Sequence, residues 1–394
     1  MKIKDLIKNK LGKNYYKFRL KYILNKIFGN FYISTRKYFK NISGNFSFIK
    51  KNLNKKIEHQ SIITRESGFI VDFTKDNYLT YHLRPKNSKN FHLESTCKID
   101  EKFAIIIQGP IQDKFNFLKN TLEIYKKIFQ NSLIIISTWE NENINLINTL
   151  KNENTFILFN KEPEKSLSNI NHQIYSTNVA LNFAKEKGAR YSIKTRADVR
   201  INKNNIETFL FSLIKSFPVK KNDFIKSRIV VPSLITFKFR IYSLSDIVMF
   251  GETEDLIKYF DRETFIEGLK KFGLNEQNLL KNETPVVAEI FLCSRFISKI
   301  DNQINWELKN WWEALKNYFC IIDNSSLDLF WHKYDWEYEY RYLRTYSGKF
   351  TRAIDFQDWL SLYNGLDNNW HLASNEHEKY DETLKLKNIF KTKF

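Results

Sequence analysis

From residue 103 onward, apolar runs alternate with amphipathic stretches in a regular order. Phe103-Ala-Ile-Ile-Ile107 is an unbroken apolar run closed by Gln108, Gly109 and Pro110, the pattern of a strand buried on both faces and ended by a turn. Phe117, Leu118, Leu122, Tyr125 and Phe129 then fall on one side of a helix, and Leu133-Ile-Ile-Ile-Ser-Thr138 is a second buried strand. Residues 143–150 predict a short helix and 155–159 a third strand. A longer helix is predicted over 170–187, burying Ile174, Ala180, Leu181 and Ala184, with Gly188 as its stop. Residues 190–195 form the fourth strand. Strands and helices alternating at this spacing predict βαβ units, hence an α/β, Rossmann-type domain with a mainly parallel central sheet.

Beyond residue 204 the pattern predicts helices over 205–217, 253–260 and 286–298, and strands over 228–231 and 246–250. Residues 330–346 carry eight aromatics, with Trp336, Tyr338, Tyr340 and Tyr342 at alternate positions; core packing is their expected role, beside stacking on sugar rings or contact with lipid headgroups. The expected organisation is a basic N-terminal region (1–57), a connecting region (58–100), the α/β domain (101–330) and an aromatic-rich C-terminal extension (331–394).

Charge changes the picture at the N-terminus only. The net charge is +19, yet residues 1–57 hold 16 Lys and Arg against the single acid Asp5, so the rest of the chain is close to neutral. Leu20, Ile23, Leu24, Ile27 and Phe28 form a helical stripe that Lys21 and Lys26 avoid. This predicts a cationic amphipathic helix lying on an anionic membrane surface, where each Lys or Arg contributes about 1 kcal/mol. Packing on its own domain and binding nucleic acid are the competing readings; no nucleic-acid module signature occurs elsewhere, so no nucleic-acid partner is expected. No signal-type apolar segment follows the first lysines, and no apolar run approaches the roughly 18 residues of a spanning helix. Cys97, Cys293 and Cys320 are odd in number and widely spaced, as in a reducing compartment. The expected location is cytoplasmic, peripheral at the inner face of the plasma membrane.

Ligands of open parallel sheets bind beyond the carboxyl ends of the strands. That rule selects Gln108, Gly109 and Pro110, then Ser137, Thr138 and Trp139, then the stretch from Thr195 to Asp198. Transfer of a sugar from a nucleotide needs counter-charge for a diphosphate and a group to deprotonate the acceptor hydroxyl. Asp198 stands where a metal-binding carboxylate belongs, but Arg196 occupies the position two residues earlier. Either Asp198 holds a divalent cation (Mn²⁺ or Mg²⁺) with a distant ligand, or Arg196 and Arg200 neutralise the phosphates, or Arg196 and Asp198 only tie down a loop. Asn169, Asn171 and Gln173 open the helix before this strand; Ser168 or Asn169 as its cap is the plain explanation, and amides offered to ribose or donor sugar the functional one. His172 is expected to be structural rather than a base. Asp246 is a candidate acceptor-side carboxylate or a solvated strand end. Glu289, within an apolar helix, is a candidate general base of raised pKa or a salt-bridged helix residue.

Taken together, Ile106-Ile-Gln-Gly-Pro110, Ser137-Thr-Trp139, Asn169-x-Asn171-x-Gln173-x-x-Ser176-Thr177, Ile193-Lys-Thr-Arg-x-Asp198 and Ser245-Asp246 leading into Phe250-Gly251 resemble the WavE lipopolysaccharide-synthesis family. A fainter echo follows at Pro285–Glu289. The resemblance implies a GT-A-like glycosyltransferase fold and a role in making the core or outer sugars of lipopolysaccharide or a related capsule. The leading expectation is transfer of a sugar from a nucleotide-sugar donor to a lipid-linked glycan. Two other activities remain open: transfer of a substituted phosphate onto the same glycans, and a non-catalytic, membrane-docked scaffold.

Overall fold

The computed structural model describes residues 100–366, apart from 112–115, 131, 151–152, 221–222, 264–266, 269, 271–287, 302–303 and 333–352. All of these lie in the second of two compact units, Asp76–Phe394. The cationic stripe at 20–28, Cys97 and most of the aromatic run at 330–346 lie outside the described residues.

The alternation read from the sequence appears as β1 (Phe103–Gln108), α1 (Phe117–Ile128), β2 (Leu133–Trp139), α2 (Ile144–Asn148), β3 (Thr155–Asn160), α3 (Ile170–Glu186) and β4 (Tyr191–Arg196). β1, β2, β3 and β4 pair in parallel. Ile105, Ile106 and Ile107 are buried on both faces of β1, which is why that strand is uniformly apolar rather than alternating. α3 ends in a Schellman turn: Gly188, at φ 80°, donates to Lys185 O and Ala189 donates to Ala184 O. The sequence thus stops the helix where β4 must begin.

A short β5 (Val199–Ile201) and α4 (Ile206–Ser216) follow, then β6 (Ile229–Pro232), β7 (Met249–Glu252) and α5 (Thr253–Tyr259). α6 (Ala288–Asp301) and α7 (Leu308–Tyr318) lead into β8 (Phe319–Ile322), a single turn α8 (Asn324–Leu327), β9 (Leu329–Trp331) and α9 (Phe356–Tyr363). The main sheet runs β3-β2-β1-β4-β7-β6-β8, and β5 pairs with β9 in a separate two-stranded sheet. β7 is antiparallel to both its neighbours, whereas β6 and β8 are parallel. Six strands therefore share one direction and β7 opposes them.

The strand expected over 246–250 is displaced: the ladder begins at Met249, and Asp246 sits in the approach to it. There the backbone is held by side chains instead, as where Ser245 N donates to Thr236 Oγ1. α6 continues to Asp301, past the expected end at 298. β5, β8, β9, α7, α8 and α9 have no counterpart in the sequence reading. Trp311 and Trp359 are wholly buried, and their indole N–H groups donate to Phe237 O and Leu315 O. Cys293 and Cys320 are free and buried.

Candidate functional site

The strand order turns at β1: β2 and β3 lie to one side of it, β4 to the other. Such a reversal opens a crevice beyond the carboxyl ends of the two flanking strands, here at Gln108 and Arg196. Register puts Ser137, Gln108 and Arg196 in one row across β2, β1 and β4. Gly109 turns the chain away at φ 114°, a left-handed backbone that favours glycine, and donates to Ser137 O at 3.0 Å. Pro110 is exposed beyond it. The antiparallel β7 starts at this same edge, so the loop before it carries Asp246 to the row with no crossover. α6 begins there too, with Glu289 in its first turn.

Arg196 ends β4 at this edge, and Asp198 follows it by two residues. Arg196 Nε and Nη2 donate to the two carboxylate oxygens of Asp198 at 2.9 and 3.1 Å, and Trp331 Nε1 donates to Asp198 Oδ2 at 3.0 Å. The guanidinium also lies 5.5 Å from the centre of the Trp331 ring. Burial pulls the Asp198 carboxyl upward, but the Arg196 hydrogen bonds and charge, helped by Trp331, outweigh it and hold the pKa below the ordinary value. The same pairing raises Arg196 against the cost of its burial. A guanidinium has five N–H donors, and those of Arg196 not used on Asp198 have no acceptor among the described residues.

Behind this pair lies a buried polar cluster. Lys194, fully buried in β4, donates to the backbone oxygen of Asp246. Gln173 Nε2, from α3, donates to Asp246 Oδ2. Burial pushes Lys194 down to about 8 although the Asp246 charge opposes this. Glu289 is half-buried and moves the other way: desolvation and the nearby Asp246 carboxylate raise it to about 7, against Arg240 and Arg196. Tyr259, within electrostatic reach of Asp246 and Glu289, keeps a buried hydroxyl with no hydrogen-bond partner among the described residues.

The other expected residues serve the walls. Ser137 Oγ donates to Ser176 O at 2.7 Å and accepts from Asn160 Nδ2, bolting β2 to α3 and β3. Thr138 Oγ1 and Ile111 N both donate to Glu142, which joins the loops after β1 and β2. Trp139 meets His172 edge to face, and burial lowers the pKa of that histidine. Asn169 is exposed at the start of α3 and makes no side-chain cap; Ser166 Oγ accepts from Asn171 N instead. Asn171 Nδ2 donates to Glu164 O. Arg200 turns into the wall, donating to Thr121 Oγ1 and Phe117 O, and burial lowers it to about 10.

Sequence reasoning did not single out Lys194, Trp331 or Glu142. A lysine inside an apolar strand was the available signal for Lys194. Trp331 carried none, because only the β5–β9 pairing brings it to Asp198.

A divalent cation on Asp198 does not fit these residues well. Both carboxylate oxygens are committed to Arg196 and Trp331, and among the described residues no group of three His, Cys, Asp or Glu side chains could hold a metal.

Several solved structures show distant likeness. A putative nucleotide-diphospho-sugar transferase from Desulfovibrio desulfuricans G20 is 11% identical over 71% of this chain and 99% of its own, with a TM-score of 0.29. HddC from Yersinia pseudotuberculosis is 11% identical over 42% and 83%, with a TM-score of 0.28. A glycosyltransferase involved in glycosylation of the major capsid of PBCV-1 is 12% identical over 46% and 74%, with a TM-score of 0.25. Likeness at these scores does not bear on the reaction. No curated protein sequence matches the chain. The model of one family, described as WavE lipopolysaccharide synthesis, matches residues 103–392. That span opens on the first residue of β1 and takes in every described strand, and the chain belongs to the WavE lipopolysaccharide synthesis family.

Proposed function

We propose that the protein is a glycosyltransferase with a GT-A-like fold, moving a sugar from a nucleotide donor to a lipid-linked glycan of lipopolysaccharide or capsule at the inner face of the plasma membrane. The observation that carries this is the Arg196 guanidinium, locked on Asp198 at the β1/β4 reversal with its remaining N–H groups meeting no acceptor among the described residues. A planar fork of this kind matches two phosphate oxygens. Gln108, Gly109 and Pro110 border the nucleotide, with Ser137, Thr138 and Trp139 beside it. The basic, amphipathic residues 1–57 supply attraction to an anionic bilayer. Among the described residues no helix is long and apolar enough to cross a membrane.

In this scheme Glu289 takes the proton from the acceptor hydroxyl and that oxygen bonds to the anomeric carbon. The bond from this carbon to the phosphate oxygen breaks, and its electron pair leaves with the nucleoside diphosphate. Arg196 stabilises the charge that develops there. A carboxylate with a pKa near neutrality suits the first step, being both available and basic. Asp246, held by Gln173 and Lys194, keeps Glu289 basic through its own charge.

The test uses the full chain with a panel of UDP-, GDP-, ADP- and CDP-sugars and extracted lipid-linked glycan, with and without Mg²⁺ or Mn²⁺, followed by product mass. One donor class should stabilise the protein thermally, and the product should gain the mass of one glycosyl unit. Glu289→Gln should keep donor binding and lose turnover by about 10²-fold or more. No binding of any donor, or full turnover by Glu289→Gln, would overturn the proposal; a product heavier by a substituted phosphate would replace it with the other transferase chemistry.

A further inference from the structure

Trp331 lies outside the strands that build the crevice, yet two independent contacts tie it to Arg196 and Asp198. Its indole N–H donates to Asp198 Oδ2 at 3.0 Å, and its ring lies 5.5 Å from the Arg196 guanidinium carbon. The side chain is nearly fully buried. Backbone pairing fixes its position: Trp331 stands opposite Val199 in the β5–β9 ladder, and His332 N donates to Asp198 O at 2.9 Å. The indole is thus clamped to the residue that grips Arg196 and to the face of Arg196 itself.

The physical consequence concerns freedom. An arginine side chain loses about 2 kcal/mol of rotamer entropy when it is fixed. If the fixing happens only when a ligand arrives, that cost is subtracted from affinity. Asp198 alone leaves the Arg196–Asp198 pair free to swing as a unit about their own side-chain torsions. With its second oxygen held by the indole and the guanidinium plane laid against the ring, the pair has one position. The unused N–H edge then faces the crevice before any ligand arrives.

We infer that Trp331 is the positioning residue of the donor diphosphate site, acting through the Arg196–Asp198 pair rather than by touching the donor. This rests on the proposed donor site, and the experiment separates the two. Binding of uridine, guanosine, adenosine and cytidine diphosphates is measured calorimetrically on the wild-type full chain. The nucleotide that binds is then measured on Trp331→Phe, which keeps a ring and loses the N–H, and on Trp331→Leu, which loses both. Arg196→Met and the Trp331→Phe/Arg196→Met double variant complete a thermodynamic cycle. Each variant must show the urea transition of the wild type, and a Trp331 variant that does not is replaced by Trp331→Met, which likewise lacks the indole N–H.

The expected result is about three- to tenfold weaker binding for Trp331→Phe, the size of one net hydrogen bond, and a larger loss for Trp331→Leu. At saturating donor, kcat should fall by a comparable factor, because the same guanidinium stabilises the charge that develops on the departing diphosphate. In the Arg196→Met background the Trp331→Phe effect should disappear. Equal affinity of Trp331→Phe and wild type overturns the inference. So does an undiminished effect of Trp331→Phe in the absence of Arg196. Failure of the wild type to bind any of the four nucleotides overturns instead the donor site on which the inference stands.

Discussion

Glu289→Gln changes stability in a way that depends on pH, and the structure sets both sign and size. The carboxyl is raised from 4.5 to about 7 by desolvation and by Asp246, so the folded protein holds its proton more tightly than the unfolded chain does. Below pH 4.5 both states are protonated, and the wild type and the isosteric amide should be equally stable. Between that point and about pH 7, the unfolded chain releases the proton more readily, and the wild type loses stability relative to the variant. Above pH 7 the difference is constant. Each tenfold difference in proton affinity corresponds to about 1.4 kcal/mol, so the plateau has a ceiling of about 3 kcal/mol. Residual solvent contact of Glu289 lowers the observed figure toward about 1–2 kcal/mol. Urea unfolding of both proteins at half-unit steps from pH 4.5 to 8.5 gives the difference directly, provided m is unchanged. A difference that is flat with pH would refute the assignment of a raised carboxyl. A wild type that gains on the variant as pH rises would show that Arg240 and Arg196 outweigh Asp246 and burial.

Four further outcomes are expected. Arg196→Met removes the fork and should weaken nucleoside diphosphate binding by about 10- to 100-fold, read by calorimetry. Lys194→Met takes away the cation beside Asp246 and Glu289, which should move the acidic limb of the rate profile, where Glu289 must lose its proton, up by about half a pH unit or more, measured as kcat/KM against pH. Gly109→Ala forces a side chain onto a backbone at φ 114° and should cost about 1–3 kcal/mol in urea unfolding. Ile106→Ala opens a cavity in a strand buried on both faces and should cost about 2–5 kcal/mol in the same assay.

The sequence discloses β1 to α3 because each apolar run there is buried locally and ends in its own stop, as Gly188 ends α3. It discloses the edge proposed for the donor for the same reason: Gln108, Ser137 and Arg196 all close such runs. The acid–base half is less legible. Asp246 is recognisable as a candidate, but its ladder begins three residues late, because Thr236 rather than a neighbouring strand holds its loop. Arg200 is indistinguishable from Arg196 by spacing; only the position of α1 shows that its donors go to Phe117 and Thr121. Trp331 is silent, since its partner lies 133 residues away. Contacts of that range depend on tertiary pairing, which leaves no periodic trace.

The order of the strands also has a consequence for how the chain emerges from the ribosome. β1 to β4 are made consecutively and can pair as they appear, but β6 waits about ninety residues for β8. Until then Ile229, Val230 and Val231 present an open edge to solvent, apolar and free of charge, of the kind that recruits other strands. A nascent chain paused in this interval is the form most exposed to aggregation and most dependent on a chaperone. Synonymous codons that slow translation between residues 232 and 319 should therefore lower the soluble yield without changing a single side chain.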